Sequence, residues 1–394
     1  MAYTTFLPND IILEILKRLP AKSLMRFKCV SKGWLNMILH PFFIESHQNH
    51  ARTRPDASRR LFAYSDRYNH LVLSYHNNDH PELLIQTFFS TNMKLDFTSS
   101  QILYSQSPLW LGANTRITSE CQGISNIANG LICVHNYDVG CLEKQSLWLI
   151  NLATMQKRSL PIPRVCFLHR SSYFLGSDSS SKKYKILHFC SGGEYDCQVL
   201  TVGRRRWRRV IGRNPGKELG LPEAMSTDGR IYFKVGNRDL HVLTFFDLHT
   251  EKFAHLSIPE ASLPREGNTG WLYCPYYLQE LFEIRGKLGL VRGLKVWILE
   301  ETGWIEKSII LPNHVYNGTF VGYERNSKII IKSSQGGDMT SKYFLYDLDT
   351  SECAEAPGIA IHDLNFSNYL FGSHLPSDVC NMKLFNYIEN ITTL

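Results

Sequence analysis

Five segments of this chain share one form, and their spacing constrains the fold more than any single motif. LWLINLATMQKRSLPIP, VLTVGRRRWRRV, LTFFDLHTEKFAHLSIP, VWILEETGWIEKSIILP and FLYDLDTSECAEAP each read as an apolar strand, a turn and a charged or aromatic strand. With Asn151, Val202, Asp247, Leu299 and Asp347 as anchors, the spacings are 51, 45, 52 and 48 residues. Hairpin-like partners such as NGLICV, DGRIYF, RGKLGLV and ERNSKIII precede them. A unit of this size cannot bury both of its own faces, so the units must pack side by side around an axis.

The same texture runs from Leu61 onward: short runs of β-branched, leucine and aromatic residues broken by Gly, Asn, Asp and Pro, with no segment of helical period and length between them. A period near 50 with four strands per unit is that of a kelch-like β-propeller, and roughly 315 residues at this period make roughly six blades. The all-β domain is expected over 61–375, leaving a C-terminal tail at 376–394.

Ahead of it, Leu7 to Ile44 is apolar at 21 of 38 positions against 43% for the whole chain. On a helix, Ile11, Ile12, Ile15, Leu16 and Leu19 fill an arc of about 140° and Leu13 widens it to about 200°, so the helix needs cover on two sides. So short a segment cannot supply that cover alone, and the surplus marks an interface. Three short helices are expected. Pro8 opens the first and Pro20 ends it; Ser23 is a candidate cap within the second; Ser31 caps the third and Pro41 closes it. The stretch Glu45–Arg60 is polar, basic and free of apolar period. It is read as a mobile linker, giving domains of 1–46 and 61–375 joined by 47–60.

The pattern LPNDIILEILKRLPAKSLMRFKCVSKGW at Leu7–Trp34 closely resembles an F-box of the plant type. That resemblance implies docking on an SKP-family adaptor and, through it, on the cullin of an SCF ubiquitin ligase. Candidate adaptor-binding residues are Leu7, Pro8, Ile11, Ile12, Ile15, Leu16, Leu19, Pro20, Leu24, Val30 and Trp34; some of them must instead hold the helices together. NGLICV followed by LWLINLATMQKRSLP resembles the G-L-[IV]-C … W-N-P-x-T pattern of the plant F-box-associated domain, with Asn151 retained and Leu152 in place of its Pro. Within that family the chain is also similar to S-locus-type F-box proteins. The large domain would then present a protein substrate, which the sequence does not identify, for ubiquitination.

No catalytic constellation is legible: there is no GxSxG, GxxxxGK[ST] or strand-borne GxGxxG, and Gly286, Gly289 and Gly293 are spaced like loop and bulge residues. Asp347 and Asp349 read as turn residues rather than an acid–base pair. His47 with His50, and His76 with His80, lack the carboxylate or cysteine companions of a metal site, so no metal or cofactor is expected. The ten cysteines form no CxxC pair and read as reduced thiols. With no signal-like start and no run of 18 apolar residues, the expected location is cytoplasm or nucleus, without membrane contact. The sequons at Asn317, Asn365 and Asn390 then carry little weight.

The net charge is 43 − 36 = +7, of which Leu7–Ile44 supplies 6 − 2 = +4, a hint of an acidic partner. Arg204, Arg205, Arg206, Arg208 and Arg209 around Trp207 could grip phosphate and stack a base. The repeat alignment instead makes them one hairpin with Trp207 inward and Arg206 and Arg208 outward, and it treats Trp297 and Trp304 as packing. Two readings stand: a non-catalytic ligase adaptor, or a propeller that binds a glycan or nucleic acid through a basic rim.

Overall fold

The computed structural model describes residues 7–53, 120–138, 141–154, 156–163, 171–190, 197–210, 223–234, 242–259, 280–315, 318–324, 327–334, 341–355 and 390–392, and the backbone of strands within 59–102 and 383–387. An N-terminal helical module is followed by antiparallel sheets, and no helix lies beyond Thr53 among the described residues.

The module has four helices: α1 (Asn9–Lys17), α2 (Ala21–Phe27), α3 (Lys32–Leu39) and α4 (Pro41–Thr53). Pro8 and Pro20 sit at the N-caps of α1 and α2, where a missing N–H costs nothing. Ser31 caps α3 as expected, its Oγ accepting from Trp34 N at 3.1 Å. Three expectations are corrected. Ser23 lies inside α2, not at a cap. Pro41 opens α4 instead of closing α3, a first-turn position that suits its fixed φ. The expected linker is helical to Thr53, because Phe43, His47 and Ala51, each four residues apart, form one buried face.

Six sheets follow. In the first, the order is β26 (Lys383–Tyr387), β1 (Arg59–Ser65), β2 (Leu71–Asn77), β3 (His80–Thr91) and β4 (Lys94–Phe97), with β5 (Gln101–Ile102) also on β3. The other five have four strands each, in sequence order. They are β6 (Glu120–Ile124), β7 (Leu131–Asp138), β8 (Cys141–Asn151), β9 (Lys157–Ser159); β10 (Ser171–Asp178), β11 (Lys183–Cys190), β12 (Cys197–Thr201), β13 (Arg208–Arg209); and β14 (Glu223–Thr227), β15 (Arg230–Lys234), β16 (Val242–Asp247), β17 (Lys252–Ser257). Then come β18 (Glu280–Ile284), β19 (Lys287–Arg292), β20 (Lys295–Glu300), β21 (Gly303–Ser308), and β22 (Thr319–Glu324), β23 (Lys328–Ser334), β24 (Ser341–Asp347), β25 (Cys353–Glu355).

The first strands of successive sheets meet: β10 with β14, β14 with β18, β18 with β22, and β22 with β26. That is propeller-like stacking. The expected tail at 376–394 is corrected, since β26 pairs antiparallel with β1, Arg59 opposite Tyr387, and so joins the first and last described strands in one sheet.

The repeat anchors have a chemical reason. Asn151, Asp247 and Asp347 end the third strands of their sheets, and each side-chain Oδ1 accepts from the backbone N–H groups two and three residues on. The distances are 2.9 and 3.2 Å at Asn151, 3.0 and 2.8 Å at Asp247, and 2.9 and 3.2 Å at Asp347. The residue after each anchor donates to the first turn of the same sheet: Leu152 N to Gly130 O, Leu248 N to Gly229 O, Leu348 N to Ser327 O. Leu152 uses the N–H that a proline there would lack. Asn129–Gly130 and Asp228–Gly229 have two positive φ values each, 47° and 75°, 49° and 69°, as a tight hairpin turn of this hand requires. Gly289 differs from its loop reading: it lies within β19 opposite Phe282, whose ring occupies the space a Cβ would need.

Candidate docking site and its seat

Helix α1 is amphipathic in an unusual sense, with apolar residues on both the covered and the open side. Leu16 is fully buried, with Ala21, Leu24, Ile38 and Phe43, while Ile12, Leu13, Leu19 and Trp34 pack half-buried against that core. Phe27 and Trp34 meet edge to face with centroids 5.2 Å apart. On the open side, Leu7, Ile11 and Ile15 stand four residues apart and remain 57%, 45% and 48% exposed. Val30, Pro8 and Pro20 are exposed as well. The eleven candidates therefore divide. Leu7, Pro8, Ile11, Ile15, Pro20 and Val30 are open to a partner, Leu16 and Leu24 are core, and Ile12, Leu19 and Trp34 lie between. Phe42 and Leu39, at the α3–α4 corner, are also exposed and carry no motif that would have marked them.

Part of the expected surplus is covered by this chain itself. Ile391, fully buried, belongs to the same core as Leu16 and Phe43, and Ala153 packs against it. Asn390 Oδ1 accepts from Gln48 Nε2 of α4 at 2.8 Å, and its Nδ2 donates to Asn129 O at 2.8 Å and Tyr184 Oη at 3.0 Å. Asn151 Nδ2 donates to the carbonyls of Asn390 and Thr392 at 2.9 and 3.0 Å. Glu45 and Lys182 pair across the same seam. His47, placed by sequence in a solvated linker, is buried and its Nε2 lies 3.0 Å from Leu19 O. The sequon asparagine Asn390 is fully buried; Asn317 and Asn365 lie outside the described residues.

The remaining candidates have structural partners. Trp207 donates to Pro161 O at 2.8 Å and packs on a core cluster, while Arg208 binds Glu251 and Thr201. Arg204, Arg205 and Arg206 project into solvent from the turn. Trp304 donates to Ser257 O of the preceding sheet at 2.9 Å, and the buried Trp297 donates to Glu306 at 3.0 Å. Asp349 pairs with Arg285 and Lys307, so it is not half of an acid–base couple with Asp347. No His/Cys/Asp/Glu group among the described residues is arranged to hold a metal. The side chains of His76 and His80 lie outside the described residues. Cys133, Cys190 and Cys197 are buried, and burial pushes Cys133 up to about 12.

The helices leave apolar residues open and sit against a propeller-like domain of antiparallel sheets. The chain belongs to the F-box proteins: an F-box domain matches residues 6–45 and an F-box associated beta propeller domain matches residues 83–367. It is 26% identical to the Arabidopsis thaliana F-box protein At4g19940 over 87% of this chain and 83% of that one. It is likewise 26% identical to the putative F-box protein At3g10240 of the same plant, over 95% and 92%. Among solved structures it is similar to the nidogen/laminin complex at a TM-score of 0.39 and 10% identity, covering 75% of this chain and 91% of that one. No helix among the described residues is long and apolar enough to cross a membrane.

Proposed function

We propose that this chain is the substrate-recognition subunit of an SCF ubiquitin ligase, in the cytoplasm or nucleus. In this reading the F-box docks on an SKP-family adaptor, and through it on cullin. A kelch-like domain, its six sheets acting as six blades, presents a target protein for ubiquitination and degradation. The observation that carries the reading is that Leu7, Ile11 and Ile15 are left open while Leu16 and Leu24 are buried in the core. Two large aliphatic side chains on one face of α1, with Leu7 just ahead of its N-cap, are an interface in waiting. The transfer chemistry would reside on the ligase's other subunits, in keeping with a chain that shows no catalytic family. The glycan or nucleic-acid alternative is weakened because the ring of Trp207, its candidate stacking platform, packs half-buried on a core cluster beside Tyr173 and His188.

The test is co-purification with an SKP-type adaptor. Leu7→Ala with Pro8→Ala, and separately Ile11→Asp with Ile15→Asp, are expected to abolish capture with an unchanged melting temperature. Capture retained by both variants would sink the docking claim.

A further inference from the structure

We propose that Asn390–Thr392 is a positioning element that fixes the orientation of the F-box on the propeller-like domain. The segment follows β26 by only a few residues and then leaves the sheet to enter the F-box. Its middle residue, Ile391, is fully buried among Leu16, Ala21, Leu24, Ile38 and Phe43, so the helical core is incomplete without it.

The flanking Asn390 supplies the direction. Its Oδ1 accepts from Gln48 Nε2 and Thr392 N, both at 2.8 Å, and both Nδ2 hydrogens are used, on Asn129 O and Tyr184 Oη. A primary amide has two donors and two acceptor positions, and here all four are filled. Such a side chain cannot turn without leaving buried polar groups unpaired. Its partners lie on three elements: α4, which extends the helical module past the F-box, the β6–β7 turn and strand β11. Asn151 grips the backbone on either side of Ile391 through the carbonyls of Asn390 and Thr392. Its own Oδ1 holds the turn that carries Ala153 against the helices. Gln48 reaches both Asn390 and Thr392, at 2.8 and 3.3 Å. The F-box is therefore held by a wedge and a polar collar together, which fix its rotation as well as its attachment.

This inference concerns orientation and stands apart from the identity of the docking partner; only the use of a fixed orientation, holding a target at a set place relative to the adaptor, rests on the receptor reading. The test places one spin label on Cys29, which is exposed on the F-box, and one on Glu301→Cys, at an exposed turn of the fifth sheet, with other reactive cysteines replaced by Ser. The full chain is expected to give a single narrow distance. Asn390→Asp, which removes both donors at constant shape, Gln48→Ala, and a chain ending at residue 389 are each expected to broaden it. In the shortened chain the amides of α4 should exchange about tenfold faster while those of β14–β21 keep their protection. If Asn390→Asp disturbs the sheets, Gln48→Ala, which changes only the F-box side, decides. An unchanged distance width in Gln48→Ala and in the shortened chain overturns the inference. Failure of the full chain to capture an adaptor overturns the receptor reading instead.

Discussion

Two neighbours on α1 show how differently adjacent residues can be employed. Leu16→Ala empties a fully buried position and is expected to cost about 2–5 kcal/mol of stability by denaturant titration. Ile15→Ala, a residue away on the open face, is expected to stay within about 0.5 kcal/mol while weakening adaptor capture. A second pair of residues makes stability depend on pH. Buried His135, Tyr173 and His188 form an aromatic cluster with the half-buried Trp207, the His135–Tyr173 and Tyr173–His188 ring centroids lying 4.7 and 4.8 Å apart. Burial lowers His135 to about 4; burial, and then the charge of His135, lowers His188 to about 3. His188 contacts Ser171 Oγ through Nε2 and has no partner for Nδ1 among the described residues, so an imidazolium there would bury an unpaired N–H. The folded state thus holds the neutral rings. Stability is full above the unfolded value near 6.5 and falls as pH drops from there toward 4 and 3, by up to about 1.4 kcal/mol per pH unit and ring. Thermal melts between pH 7 and 5 should show a shallower decline in His188→Gln than in the unmodified chain. At this scale the sequence separated the open from the buried candidates poorly, because Ile15 and Leu16 are equally apolar and only the neighbours decide which is covered.

Whole elements were legible where their signal is local. The anchors at Asn151, Asp247 and Asp347 could be picked out because a carboxylate or amide that closes a turn on its own backbone leaves a fixed spacing in the chain. Helix α4 was missed for the converse reason. Its buried face is Phe43, His47 and Ala51, and the histidine breaks the apolar period although the three fall on one side of a helix. Gly289 was likewise misread, since what requires it is Phe282 on the neighbouring strand and not a turn of its own. Gly289→Ala should overpack that site and cost about 1–3 kcal/mol, measured as a lowered melting temperature; an unaffected melt would mean that the Phe282 ring moves aside freely.

At the level of the molecule, the closure of the first sheet joins residues more than three hundred positions apart, Arg59 with Tyr387, and nothing local in either strand announces it. Removing residues 383–394 deletes both this strand and the wedge behind it. The expected result is a lower, broadened unfolding transition and loss of adaptor capture together, whereas a chain ending at residue 389 should keep the sheet closed and loosen only the F-box. Limited proteolysis separates the two outcomes, through early cleavage within the sheets in the first case and near α4 alone in the second.

The seating of Ile391 also has a bearing on the order in which the chain is made. The F-box is made before the sheets, yet the residue that completes its core is made after them. A nascent chain, or one cut short by a premature stop, carries the docking stripe without the wedge behind it. Completion of the helical module is thereby deferred until the propeller-like domain exists, so that an earlier segment is finished by a much later one.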